Sequence, residues 1–478
     1  MVSLQLNEVV RVDVSICLSE HSQIPWYEQL YRYIRTEIES GRISSGTKLP
    51  SIRSLADSLR ISKTTAETAY QQLLAEGYIE SRPRRGYFTM PVETSLAPHD
   101  AVGSPVETTS GQSAPTIDID FHPSRIDSKN FPFALWKSLF NELLNQRDCR
   151  MLDYGAVEGE WGLRRELAKY LHYSRGVRCG PEQIVIGNGI QYCIGVIRTL
   201  LNEYPMVAAM ENPGYHRVRA ILEHSGVPIR PIRLDHDGLD IDQLCETDAN
   251  IVYVTPSHQF PKGMVMPYYK RMLLLRWAQA VNGFIIEDDY DSEFRYGERP
   301  IPSLQGLDQR DSVIYIGTFS KAFTPAIRMN YMVLPPPLLA RFKSMSQGFD
   351  CPVSRIQQNV MEMFITRGFW DRHIRRFRRI YRGKHQDMLH ALRMIMEDHV
   401  VVSGIGAGLH VALLVRTILT ERDLTERAAR VGVRIYTGND TRIGPSNDLP
   451  YVYLGFGALE RTEMEEGLRR LKNVWFDD

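Results

Sequence analysis

Between Thr116 and Asp478 the chain repeats one pattern, a short apolar run followed by a segment of helical spacing. Gln183-Ile-Val-Ile186, Ile251-Val-Tyr-Val254, Phe284-Ile-Ile286 and Val313-Ile-Tyr-Ile316 are such runs. Strands that alternate with helices predict a mostly parallel sheet with helices on both faces, hence one large α/β domain over residues 116–478. Residues 16–90 read differently, as helices followed by a short β-like tail. The stretch 91–115 is rich in Pro, Ser, Thr, Gly and Val without a sustained apolar period, which predicts a flexible linker. No internal repeat joins these zones.

Charge gives no overall hint of a nucleic-acid partner, because Lys plus Arg and Asp plus Glu both total 57. A DNA-binding surface therefore has to come from local asymmetry. Cys17, Cys149, Cys179, Cys193, Cys245 and Cys351 lie far apart, without the paired spacing of zinc sites, so free thiols, no metal and a cytoplasmic setting are expected. The first residues do not form a basic-then-apolar signal, and the apolar stretch Val400 to Val415 is broken by Ser403, three glycines and His410. Neither export nor a membrane span is expected.

In the N-terminal zone, Tyr27, Leu30, Tyr31, Ile34 and Ile38 predict one amphipathic helix, and Ser51 to about Leu59 a second. Ser62 can cap a third, with Ala66, Ala69, Tyr70, Leu73 and Leu74 facing inward. That leaves Lys63, Thr64, Thr65, Glu67, Thr68 and Gln71 outward, short polar side chains suited to a DNA major groove. Two short strands joined by Arg82, Arg84 and Arg85 would form a wing that brings positive charge to phosphates, although a solvated basic turn has the same pattern. Leu49-Pro-Ser-Ile-Arg-Ser-Leu-Ala, Ile61-Ser-Lys-Thr-Thr, Ala69-Tyr-Gln-Gln-Leu-Leu-Ala-Glu-Gly-Tyr and Gly86-Tyr-Phe resemble the GntR-type winged helix-turn-helix, an α+β module. The resemblance implies DNA contacts from Arg53, from Ser62, Lys63, Thr64 and Thr65 at the start of the third helix, and from the wing. Lys63 stands where Arg is usual, so the half-site sequence does not carry over.

The strongest chemical signal is Gly317-Thr-Phe-Ser-Lys-Ala-Phe-Thr-Pro-Ala-Ile-Arg328, directly after an apolar run. A lysine flanked by hydroxyls and followed by an arginine suits a Schiff base to pyridoxal phosphate: Lys321 for the aldehyde, Thr318, Ser320 and Arg328 for the phosphate. Ser-Lys in a loop is also an ordinary solvated pair. In Phe284-Ile-Ile-Glu-Asp-Asp-Tyr-Asp-Ser-Glu-Phe-Arg a strand runs into a cluster of acids, and Asp288 is placed to hold the pyridine nitrogen, with Tyr290 donating to the ring hydroxyl. A helix-start acid cluster or a Mg²⁺ site fits the same residues. Val185-Ile-Gly-Asn-Gly-Ile-Gln-Tyr is a strand, a glycine turn and a helix start, where the amides of Gly189, Ile190 and Gln191 can receive the phosphate.

Together these segments resemble fold-type I aminotransferases, and their pairing with a GntR-like head resembles the MocR/GabR group of pyridoxal-phosphate-dependent regulators. Phe131-Pro-Phe-Ala-Leu-Trp, Gly162-Leu-Arg-Arg-Glu-Leu-Ala, Glu211-Asn-Pro-Gly-Tyr and Thr255-Pro-Ser-His-Gln-Phe-Pro-Lys-Gly extend the resemblance over most of the chain. It implies a small C-terminal subdomain, Tyr215 stacked on the cofactor ring, and His258 and its neighbours lining the site. It further implies a head-to-tail, domain-swapped homodimer that binds promoter DNA and senses an amino acid or related amine by aldimine exchange at Lys321, with aminotransferase turnover weak or absent. A working aminotransferase with a DNA-binding tail, and a regulator that senses pyridoxal phosphate itself, are the alternatives. Lys262 replaces a usual Thr and Tyr453 a usual Arg, which leaves Arg217, Arg434 and Arg442 as candidates for the effector carboxylate.

Overall fold

The spacing of Leu30, Tyr31, Ile34 and Ile38 builds α1 (Trp26–Glu39), because those four side chains form its buried stripe. The computed structural model describes residues 16, 24–91, 116–202, 205–296, 301–348, 350–444 and 449–476. Apart from Pro91, the expected linker lies outside the described residues. The chain divides into two compact units, Met1–Ser113 and Ala114–Asp478.

In the first unit, α2 (Ile52–Leu59) and α3 (Lys63–Ala75) begin at Ser51 and Ser62, whose hydroxyls accept from the amides of Ser54 and Thr65. Ala66, Ala69, Tyr70 and Leu73 of α3 join the stripe of α1 in one small core. The other side of α3 exposes Lys63, Thr64, Glu67 and Gln71. β1 (Ile79–Arg82) and β2 (Gly86–Thr89) pair antiparallel with Arg82 opposite Gly86. The turn between them needs left-handed backbone, and Arg84 sits there at φ 61° beside Gly86 at φ 99°. The unit is the winged helix-turn-helix that its sequence predicts.

The second unit contains β3 (Ile119–Asp120), β4 (Ile184–Gly187), β5 (Ala208–Asn212), β6 (Ile229–Asp235), β7 (Gly238–Leu239), β8 (Ile251–Val254), β9 (Phe284–Asp289), β10 (Val313–Thr318) and β11 (Asn330–Val333). Among the described residues eight strands form one sheet, in the order β4-β11-β10-β9-β8-β5-β6-β7. Only β11 and β7 run against the rest. Period-two alternation explains why the apolar runs look continuous. Ile184, Ile186, Tyr315 and Val333 enter a core on one face, whereas Val185, Ile286, Ile314 and Met332 enter a core on the other.

β12 (Val400–Ser403), β13 (His410–Val415), β14 (Val433–Arg434), β15 (Tyr436–Thr437) and β16 (Tyr451–Gly455) complete the chain. β12, β13, β16 and β15 form an antiparallel sheet, and β14 pairs with β3. This sheet packs on helices Glu421–Arg430 and Arg461–Phe476 and on the end of the long helix Phe369–Ile395, a second core that matches the small C-terminal subdomain. Among the described residues no helix is long and apolar enough to cross a membrane.

The end of β9 brings buried acids into the sheet, and alternation sorts them. Asp289 points to Arg175, whose Nε lies 2.6 Å from its Oδ2; the hydroxyls of Tyr315 and Ser292 donate to the same oxygen at 2.6 and 2.9 Å. Burial alone would raise the Asp289 pKa, but the charge of Arg175 and the hydrogen bond from Tyr315 outweigh it and hold the carboxyl below its usual range. Glu287 accepts from the amides of Leu304 and Gln305 at 2.8 and 2.9 Å. Removing one partner of a buried pair strands the other. Arg175→Met is therefore expected to lower the free energy of unfolding by about 3–5 kcal/mol, read from the urea midpoint; a loss below about 1 kcal/mol would show that the pair contributes little.

Candidate functional site

The carboxyl ends of β4, β8, β9 and β10 open into one cavity of about 800 Å³, the position at which open α/β sheets bind ligands. Lys321 follows β10 by three residues, and its Nζ donates to the carbonyl of Pro123 at 2.7 Å. Burial lowers its pKa to about 8, with the charge of Arg217 adding to the effect and that of Asp291 opposing it. Beside it, Thr318 Oγ1 donates to Ser320 Oγ at 3.0 Å and accepts from the Ser320 amide at 3.1 Å, an arrangement that turns both hydroxyls toward the same corner.

That corner is completed from two other strands. Gly189 precedes helix Ile190–Leu200 at φ 147°, and a Cβ built there would lie 2.4 Å from Nη2 of Arg328. A side chain there would displace the guanidinium, and the backbone angle itself favours glycine. Asn330 on β11 fixes the turn by accepting from the Gly189 amide at 3.0 Å. Gly189, Ile190 and Gln191 thus line the cavity at a helix N-terminus, opposite Thr318, Ser320 and Arg328. Amides, hydroxyls and a guanidinium converging at a helix start are the donor set of a phosphate site.

Asp288 faces away from Asp289 and into the cavity. Burial raises its carboxyl to about pKa 7, against the pull of the hydrogen bond from the Tyr253 hydroxyl. Tyr215 forms another wall, its ring edge-on to Phe260 with centroids 5.4 Å apart. Tyr290 also lines the cavity, and its hydroxyl lies 3.0 Å from Nδ1 of His258, which is itself 2.8 Å from Oδ2 of Asp291. His258 does not reach the cavity as the resemblance implied. It is packed behind Tyr290 against His410, with ring centroids 4.8 Å apart, while its neighbours Thr255 and Phe260 form the lining.

Of the three arginines considered for a carboxylate, the structure brings only Arg217 to the cavity. Arg442 is tied to the buried Glu421 at 2.7 Å, and Arg434 is an exposed residue of β14. Part of the lining was not singled out from the sequence: Pro123, Tyr253, Asn330, Tyr436 and Asp440 come from distant segments. Tyr253 had one readable sign, a hydroxyl in a fully buried apolar strand, which requires a partner. Asp288, Asp289 and Asp291, at and just beyond the end of β9, are engaged by protein groups, and among the described residues no cluster of three or more His, Cys, Asp or Glu could hold a metal.

In the first unit, Arg53, Lys63 and Thr64 are exposed, whereas the hydroxyls of Ser62 and Thr65 bond to each other at 2.7 Å within the cap of α3. Arg82 folds back on its own strand: its Nε donates to Glu80 at 2.6 Å and its guanidinium lies 4.4 Å from the Phe88 ring centre. Arg84 and Arg85 stand exposed at the tip of the wing.

Residues 126–431 match the family described as aminotransferase class I and II, and residues 26–89 match the bacterial regulatory proteins of the gntR family. The uncharacterized HTH-type transcriptional regulator YdeL of Bacillus subtilis (strain 168) is 41% identical over 97% of this chain and 100% of its own length. The probable rhizopine catabolism regulatory protein MocR of Rhizobium meliloti is 31% identical over 96% of each chain. Among solved structures, LysN, the α-aminoadipate aminotransferase of Thermus thermophilus complexed with N-(5'-phosphopyridoxyl)-L-leucine, aligns with a TM-score of 0.68 at 25% identity, covering 74% of this chain and 91% of that one. The large unit has the aminotransferase fold, and the chain as a whole belongs to the MocR-type transcriptional regulators, in which a gntR-family helix-turn-helix is joined to an aminotransferase class I and II domain.

Proposed function

We propose that this regulator holds pyridoxal phosphate in the cavity at Lys321 and that the signal it reads is an amino acid or related primary amine. The DNA-binding head is residues 16–90, the linker 91–115 and the sensing domain 116–478, working as a cytoplasmic homodimer on promoter DNA. What supports the reading is one convergence: an amine, a buried carboxyl and a phosphate-type donor set around the same cavity. The fit is chemical as well as spatial. The cradle at Gly189 offers amides and the Arg328 guanidinium to a dianion, and Asp288 offers a carboxyl shielded from water to a ring nitrogen.

When bound, the cofactor supplies an aldehyde that condenses reversibly with primary amines. Each group of the chain then has a defined task. Lys321, with its pKa lowered by burial, presents more unprotonated amine near neutral pH than an exposed lysine would. Thr318, Ser320, Arg328 and the amides of Ile190 and Gln191 would hold the phosphate, the Gly189 amide being taken by Asn330, and Tyr215 would cover the ring. Tyr290, which lines the cavity, would offer its hydroxyl to the ring oxygen. Arg217, at the cavity and exposed, is placed to meet the carboxylate of an incoming amino acid. With the cofactor engaged by another amine, the Lys321 ε-amine would be free to donate to the Pro123 carbonyl as it does here, a change of contact that a dimer could amplify.

Lys321→Ala is expected to remove the visible absorbance band of the cofactor-loaded protein without unfolding the head. A variant that keeps the band would overturn the lysine assignment. In the cofactor-free protein, modification of Lys321 by an amine-selective reagent, followed by peptide mass spectrometry, is expected to reach half-rate near pH 8; a half-point above pH 10 would mean that burial does not lower this pKa. Titration of the loaded protein with L-, D- and non-α amino acids tests the sensing itself: one class of amine is expected to shift both the visible band and DNA affinity. DNA affinity that follows pyridoxal phosphate but no amine would instead make the cofactor the signal.

A further inference from the structure

From Arg372 to Arg382 the long helix Phe369–Ile395 carries six arginines in eleven positions and no acidic residue. All six are exposed, in a chain whose total charge is zero. An exposed helix face ordinarily interleaves its charges, and this protein has such a face for comparison. On helix Arg461–Phe476, Arg461, Arg469 and Arg470 pair with Glu465 and Glu466 one turn away. Among the described residues none of the six arginines forms such a pair; the ion pairs of this helix are those of Lys384 and Asp387. Arg372 donates to the carbonyls of Gly368 and Arg367, Arg376 to Asn130 Oδ1 at 2.6 Å and Arg378 to the Glu293 carbonyl at 2.6 Å; the accepting atoms are backbone carbonyls and an amide oxygen, not carboxylates. Arg375, Arg379 and Arg382 make no hydrogen bond or ion pair among the described residues.

Those last three positions are four and three residues apart, so the guanidiniums form one stripe along about 10 Å of helix. Like charges at this spacing repel, and the fold gains nothing internal from the arrangement. Arginine is the side chain whose planar fork matches phosphate, and the stripe is close in length to the roughly 12 Å width of a DNA major groove. The 25 residues of 91–115 form a tether of at most about 80–90 Å, long enough for the head and a second basic surface to engage one duplex.

We infer that the Arg375, Arg379 and Arg382 stripe of the aminotransferase domain is a second DNA-backbone contact, separate from the winged head. The inference rests on the chain acting on DNA, as its family does. The stripe reads no sequence. It adds affinity and salt dependence on duplexes long enough to reach it, and it makes the sensing domain a participant in DNA binding.

The test uses full-length, cofactor-loaded protein and a mixed-sequence 60-bp duplex, with affinity measured by fluorescence anisotropy between 50 and 200 mM salt. Replacing all three residues (Arg375→Gln, Arg379→Gln, Arg382→Gln) is expected to reduce the slope of log K against log salt by about 2–3, since each phosphate contact contributes about 0.9. The triple lysine variant is expected to restore most of that slope, while the visible band and melting temperature stay as in wild type. Replacing Arg84 and Arg85 by Ala is expected to reduce the slope independently, and the two losses to add. If the wing pair changes the slope and the stripe does not, the inference fails and the regulator reading stands. If wild type shows no salt-dependent DNA binding, the regulator reading fails first. Competition at the stripe by polyglutamate that exceeds competition by the duplex would assign it to an acidic protein and overturn the DNA proposal.

Discussion

The structure depends on how four acids are accommodated at the end of one buried strand. Glu287, Asp288, Asp289 and Asp291 are all withdrawn from water, and a charge so placed is costly unless it is paired or neutral. Strand alternation divides them. Glu287 and Asp289 turn to one face, where Arg271 and Arg175 meet them, and Asp288 turns to the other, where the cavity lies. Because Arg175 takes the charge of Asp289, Asp288 is left as a buried acid with a single tyrosine partner and an open side. Its raised pKa and that position have the same origin: a carboxyl deprived of water and not given a cation has a strong need for one, which a protonated ring nitrogen would meet.

The parts of this arrangement that local sequence determines were legible. Apolar runs, cap residues and the glycine turn at 187–189 each act on their immediate neighbours, so strands, helices and the lysine and aspartate at strand ends follow from short segments. What was not legible depends on contacts between distant segments. The Lys321 partner, Pro123, lies 198 residues away, and Asn330 reaches Gly189 across 141. His258 reads as a site residue from its motif, but the space in front of it is taken by Tyr290. Arg442 resembles a ligand arginine until Glu421 is found beside it. Arg82 looks like wing charge for DNA until its own strand neighbour Glu80 claims it, a pairing that alternation allows and composition hides.

Net charge carried no information for a related reason. A total of zero is silent on local asymmetry, and the carboxylates gather on some helices and leave others bare. Averages over a chain of this length conceal such segregation. Only the placement of helices against a core shows which charges face each other and which face solvent.

Behind the cavity, the same hydrogen-bonding logic fixes the direction of one proton. Nδ1 of His258 has two neighbours, Asp291 Oδ2 at 2.8 Å and the Tyr290 hydroxyl at 3.0 Å. A carboxylate can only accept, so a bond to the Asp291 carboxylate is one that Nδ1 donates. A nitrogen that donates to Asp291 cannot also accept from Tyr290, and the phenol oxygen is left to take at most a share of the same N–H. The Tyr290 proton is then free to be offered to the cavity that the residue lines. Asp291, out of contact with the cavity itself, thus determines whether the tyrosine offers a donor or an acceptor to whatever the cavity holds.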